Sequence, residues 1–186
     1  MTTYLFIDTE TTGFKRGGSL IQPKQARVCQ IAMIWSDESG KSLMEYQSLI
    51  KPENWDTDGK THNFFGISYD DCAKYGVAQN TIIDIFTSIS SNDNVQIVAH
   101  NSDFDKGMME VENEYYREKR VGCPSISQNW YCTMKRNTHI SPNGKWPKLD
   151  ATLKHYTGKE LIDAHDAMAD TKACRDIFFA MNGIKT

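Results

Sequence analysis

The sequence lacks several features that would commit it to a class. No uninterrupted apolar run approaches the 18 or so residues of a membrane helix, and Met1 leads straight into a strand-like pattern rather than a signal peptide. The expectation is a chain with no membrane partner, placed in the cytoplasm. Its five cysteines (Cys29, Cys72, Cys123, Cys132 and Cys174) are an odd number, widely spread, with no CxxC pair. That argues against a disulfide framework and suits a reducing compartment. A zinc site on Cys123, Cys132 and His139 fits no zinc spacing. There is no internal repeat and no low-complexity tract, so residues 1–186 are read as one domain. Positive charge is not in excess either: a net charge of −3 argues against a general polyanion binder.

The 186 residues, 39% of them apolar and 24% charged, are enough to bury a core and ordinary for a globular chain. Charge is unevenly spread. From Lys135 to Lys159 there are six cations (Lys135, Arg136, Lys145, Lys148, Lys154, Lys159) and one acid, Asp150. Trp146 and Tyr156 are interleaved among them. The mixture suits single-stranded nucleic acid, and a solvated loop and helix face has the same composition.

Apolar periodicity predicts strands at 3–9, 27–36 and 42–50, with "DESG" as the turn between the last two. Helices are expected at 68–75 and 79–91, then a buried strand at 95–99, a helix at 103–119, a short strand at 129–134, and helices at 149–157 and 165–181. Three strands followed by alternating helix and strand imply a mixed α/β sheet covered by helices.

Acids recur at the ends of these elements. In "YLFIDTETTGF" (4–14) the two-residue period puts Tyr4, Phe6, Asp8 and Glu10 on one face, and Leu5, Ile7 and Thr9 on the other. Asp8 and Glu10 then lie about 6.6 Å apart on one side of a sheet, where like charge and burial both raise a carboxyl pKa. In "VQIVAHNSDFDKGMM" a strand runs into polar residues and a helix. Asn101 or Ser102 can cap that helix, and Asp103 and Asp105 are both candidates for chemistry. Asp103 is also explained by the favourable charge of a helix N-terminus. In "HDAMADTKACRDIFFAMNG" the apolar stripe Cys174, Ile177, Phe178, Met181 extends back onto Asp170, with His165 at the helix start. A salt bridge would explain Asp170 alone. Four converging carboxylates repel unless cations sit among them, and hard divalent ions such as Mg²⁺ or Mn²⁺ prefer oxygen ligands.

Together these clusters resemble the DEDDh branch of the DnaQ-like 3′–5′ exonucleases. The motif DxExTG is matched by "DTETTG" (8–13), HNxxFD by "HNSDFD" (100–105), and HxAxxD by "HDAMAD" (165–170). "FGIS" (65–68) and "LDATLKHYTG" (149–158) resemble two further family segments, the second with Thr157 inserted before the glycine. Ser102 stands where the family often has alanine, and Phe65 where histidine is common.

The resemblance implies a ribonuclease H-like fold, a five-stranded mixed sheet flanked by helices. It selects Asp105 over Asp103. It implies two divalent cations, Mg²⁺ or Mn²⁺, held by Asp8, Glu10, Asp105 and Asp170, with His165 as general base. Thr11, Phe14, Phe65 and Asn101 would hold the 3′ end of a single strand, although Phe14 and Phe65 are equally readable as core aromatics. The expected activity is metal-dependent 3′–5′ exonuclease on single-stranded DNA, or RNA, releasing nucleoside 5′-monophosphates. Family members serve in proofreading, DNA degradation and RNA trimming. The rival readings are a catalytically silent module that binds nucleic acid or a polymerase, and an endonuclease on the same fold. Thr186 follows closely on the last motif, so a free-standing enzyme without a polymerase tether is expected, with an edge strand available for a homodimer.

Overall fold

The computed structural model describes residues 1–53, 55, 63–64, 66–118 and 125–184. Its elements in chain order are β1 (Thr3–Thr11), β2 (Val28–Ser36), β3 (Ser42–Leu49), β4 (Asn63–Phe64), β5 (Ile67–Ser68), α1 (Tyr69–Tyr75), α2 (Gln79–Ser90), β6 (Val95–Ala99), α3 (Ser102–Arg117), β7 (Trp130–Cys132), α4 (Thr133–Arg136), a 3₁₀ turn (Thr138–Ile140), α5 (Leu149–Thr157) and α6 (Ala167–Met181). Five strands form one mixed sheet in the order β3-β2-β1-β6-β7. β1 runs antiparallel to β2 and parallel to β6, and β7 is parallel to β6. This is the ribonuclease H-like arrangement expected from the sequence.

The alternation of β1 is what gives the sheet two dry faces. Leu5 and Ile7 point to one side, where Ile31, Met33, Ile97 and Ala99 meet Ile82, Ile83 and Phe86 of α2 and Met108 and Met109 of α3. Phe6 points to the other, packing with Ile34 and Val98 under Cys174, Phe178 and Phe179 of α6. Tyr4 and Phe6 stack on Phe178 at ring distances of 4.7 and 5.6 Å. α5 covers the outer side of α6 through Leu153, Ala173 and Ile177.

Several boundaries moved for local reasons. β7 is shorter than the expected 129–134, because its ladder with β6 lasts only three residues and the chain then turns into α4. α6 starts at Ala167, not 165, because the Asp166 side chain accepts from Met168 N and Ala169 N at 3.1 and 3.0 Å and caps the helix there. α5 includes Thr157 and ends on Gly158, whose φ of 71° is the left-handed cap that glycine adopts without a Cβ clash. α3 is capped by Asn101, also left-handed at φ 77°, but without a side-chain cap bond. The two-residue strands β4 and β5 carry no readable period and were not expected.

One buried ion pair braces the sheet behind the loop that follows β1. Glu112 of α3 accepts from Arg27 Nε (3.0 Å), Arg27 NH2 (2.8 Å), the Val28 amide (2.8 Å) and Gln79 Nε2 (2.6 Å). Arg27 lies 4.0 Å over the Tyr115 ring and donates to the Glu53 carbonyl. Every lone pair direction of the carboxylate is used, which is the condition for burying such a pair.

Candidate active site

The site forms where β1 outruns its neighbour. The β1–β6 ladder stops at Phe6↔Val98, while β1 continues beside β2 to Thr11. Asp8 and Glu10 therefore project from the strand beyond the packed part of the sheet, on the Phe6 face. Asp8 sits opposite Ala32 and Glu10 opposite Gln30. On that face α6 supplies the cover. Its apolar stripe lies on Phe6, and one turn back along the stripe Asp170 comes over the β1 acids.

α3 enters from the other side of the strand. Its first turn carries Asp105, buried at 2% exposure, which accepts from Thr9 Oγ1 at 2.9 Å. Asp103 points away to the surface, in an ion pair with Lys135 at 2.5 Å.

The acids repel one another. Burial, then Asp105, Asp170 and Glu10, push Asp8 well above the carboxylate range. Burial, then Asp170 and Asp105, bring Glu10 up to about 7. Asp105 also stands at about 7, raised by burial and partly relieved by the Thr9 hydrogen bond. Burial raises Asp170, and the His165 backbone N–H, 3.4 Å from Oδ2, lowers it. Glu10, His165 and Asp170 bring potential ligand atoms within 4.8 Å of one another, which makes a possible carboxylate–histidine metal site. Asp8 and Asp105 stand outside that tight trio and join it through their charge. Asp170 Oδ1 is buried with no hydrogen-bond partner, and oxygen donors dominate the set, so the residues fit a hard divalent cation.

The remaining candidates divide. His165 is exposed and lies before α6 with a left-handed φ of 71°, a conformation uncommon for non-glycine residues. Thr11 is buried and donates to the Gly13 carbonyl at 2.6 Å. Phe14 is not a core aromatic: it is 85% exposed, its ring edge-on to Phe104 at 6.1 Å. Asn101 is half-buried at the head of α3. Phe65 lies outside the described residues, as does Cys123.

Sequence reasoning leaves out five neighbouring residues. Thr9 was read only as a residue of the opposite face, and nothing local announces its partner 96 residues away. Asp166 is a further acid beside Asp8 and Glu10, legible as a helix cap; both its oxygens already accept, Oδ2 from Gln47 at 2.8 Å. Gln30 accepts from Ala167 N at 3.1 Å and, with Gln47, ties the head of α6 to the sheet. His100 opens the HNSDFD stretch, and the sequence alone assigns it no role.

A family model described as Exonuclease matches residues 5–178. The chain belongs to the exonuclease family. No curated protein matches the sequence. Among solved structures it is similar to E. coli exonuclease I in complex with a dT13 oligonucleotide, at 20% identity and TM-score 0.70, covering 99% of this chain and 42% of that one. The complex with dA16 gives 20% identity and TM-score 0.70 over 99% and 41%. The zinc-bound complex of the E. coli enzyme with single-stranded DNA gives 23% and 0.66 over 98% and 40%. At these identities the likeness is one of fold, and the chain spans about two fifths of the length of those proteins. Among the described residues no helix is long and apolar enough to cross a membrane.

Proposed function

We propose that the chain is a metal-dependent 3′–5′ exonuclease acting as one domain on single-stranded nucleic acid, DNA in preference to RNA. The observation that supports it most is the convergence of Asp8, Glu10 and Asp105 beside the orphaned Asp170 oxygen, where burial and neighbouring carboxylates together raise Asp8 and Glu10. Such a cluster is stable in its ionised form only around cations. Asp8, Glu10 and Asp170 are the residues to hold one divalent ion, Mg²⁺ or Mn²⁺, and Asp8 with Asp105 a second. When bound, the ions supply Lewis acidity and a nucleophile at neutral pH.

His165 has the role of general base, its imidazole taking the proton of the attacking water. The water oxygen bonds to phosphorus, the bond to the 3′-oxygen of the preceding nucleotide breaks, and that oxygen leaves with a proton. The products are a nucleoside 5′-monophosphate and a strand one residue shorter. Phe14, exposed and backed by Phe104, suits contact with the terminal base. Asn101 and the Thr11 backbone line the approach to the 3′ end. The preference for DNA draws on the oligonucleotides bound by the similar structures, dT13 and dA16.

The buried free thiols Cys29, Cys72, Cys132 and Cys174 support a reducing, cytoplasmic setting. The edge strands β3 and β7 are the surfaces through which two copies would pair. Chromatography of a digested oligothymidylate tests the reaction: 5′-monophosphates from the first time point support it, and short oligomers would instead mark an endonuclease.

A further inference from the structure

His100 has no part in the chemistry above, yet it fastens two distant points of the chain. Its Nδ1 lies 2.9 Å from Thr133 Oγ1, and its Nε2 lies 3.1 Å from the Pro147 carbonyl oxygen. A carbonyl only accepts, so Nε2 carries the proton and Nδ1 accepts from the threonine hydroxyl. Burial disfavours a second proton on this ring. Thr133 opens α4 and Pro147 precedes the cap of α5. One side chain thus ties together the two ends of residues 133–147, with Lys148 next in the chain, at the end of β6 where Asn101 and the head of α3 begin.

That loop, Lys148 included, carries four of the six cations of the basic segment. Lys154 is paired with Glu160 at 2.6 Å and Lys159 with Asp176 at 2.7 Å, so the two later cations are engaged within the fold. Residues 133–148 hold Lys135, Arg136, Lys145 and Lys148, all exposed, and no acid. Of these four, Lys135 alone has an ion pair among the described residues, to Asp103. Lys135 and Arg136 also line a polar cleft of about 380 Å³ against the edge strand β7, with Ser102 and Asp103 of α3 in its wall. Trp146, flanked by Lys145 and held through its neighbour Pro147, is 62% exposed. An exposed indole next to Lys145 and two residues from Lys148 pairs a stacking face with positive charge, and stacked bases with their phosphates match both features.

We propose that the His100-fastened loop 133–148 is the surface that holds the strand upstream of its 3′ end, with Trp146 stacking a base and Lys135, Arg136, Lys145 and Lys148 facing phosphates. The inference rests on the exonuclease reading. It assigns the occupant as single-stranded nucleic acid and the route as one leading from the head of α3 over α4.

The test is binding of 5′-fluorescein dT12 in EDTA by fluorescence anisotropy, with a parallel Mg²⁺ digest by the wild-type protein. Trp146→Ala weakens dT12 binding about 5- to 150-fold, the loss of one base–aromatic stack, and Trp146→Phe restores most of it. Lys145→Ser with Lys148→Ser lowers the slope of log Kd against log salt by about 1.4, two single-strand contacts at roughly 0.7 each. All three side chains are exposed, so these variants fold. A wild type that digests dT12 while Trp146→Ala binds it equally well overturns the loop proposal and leaves the exonuclease reading standing. A wild type that neither digests nor binds dT12 overturns both.

Discussion

The Thr9 hydroxyl donates to Asp105 Oδ1 at 2.9 Å, joining β1 to the first turn of α3 within the carboxylate cluster. The bond favours the ionised form of Asp105 in a place where burial opposes it. Thr9→Val keeps the shape and removes the donor. A hydrogen bond to a charged group is worth about 1.5–3 kcal/mol, roughly one to two pKa units, so the Asp105 carboxyl rises above its value of about 7. The acid limb of the kcat/KM–pH profile moves up with it, and the loss of activity is greatest at pH 6 and smallest at pH 9. An acid limb identical to that of the wild type would separate Asp105 from the chemistry.

Stability of the metal-free protein falls as pH rises. Glu10 and Asp105 hold protons in the folded state up to about pH 7, well above where they ionise in an unfolded chain. Between the ordinary carboxylate range and pH 7 the folded state therefore binds more protons, and stability declines through that window. Asp8→Asn removes one charge from the cluster. It raises the metal-free Tm at pH 8 with little change at pH 5, abolishes cleavage, and shrinks the Tm gain from added Mg²⁺. Calorimetric scans at the two pH values, with and without Mg²⁺, check all of this; retained turnover in Asp8→Asn would refute the metal site.

His165 stands within 4.8 Å of Glu10 and Asp170, close enough to be a ligand as well as a base. The two roles separate on substitution. As general base, His165→Ala lowers kcat by about 10²–10⁴-fold and leaves metal affinity intact. Titration calorimetry with Mn²⁺ reads the affinity, and a loss of binding that parallels the loss of rate would make the imidazole a ligand.

The Arg27–Glu112 pair is a prediction about the scaffold alone. Glu112→Ala strands a fully buried guanidinium and an amide, at a cost of about 3–5 kcal/mol. Denaturant unfolding measures it. A loss below about 1 kcal/mol would mean that water reaches Arg27 once Glu112 is gone.

The candidate site was legible where its chemistry coincided with a period. Asp8 and Glu10 could be placed on the Phe6 side of β1 because alternation alone decides that, and Asp170 on the packed side of α6 because it continues the stripe of Cys174 and Phe178. The bounds of β6 and α5 matched for the same reason. Choosing Asp105 over Asp103 needed the family resemblance; in the fold the two diverge, one toward Thr9 and one toward Lys135. What stayed hidden were contacts with no local signature. Gln47 to Asp166 spans 119 residues, and His100 to Pro147 spans 47. Phe14 could not be told from a core aromatic, since exposure is decided by where the loop after β1 lies, not by the residue.

The most direct measurement is a time course on 5′-labelled single-stranded DNA and RNA of one sequence, each with Mg²⁺, with Mn²⁺ and with EDTA. The account predicts a ladder that shortens one nucleotide at a time from the 3′ end, faster on DNA and absent in EDTA. Cleavage that persists in EDTA, internal cuts, or intact strands in both metals would contradict it.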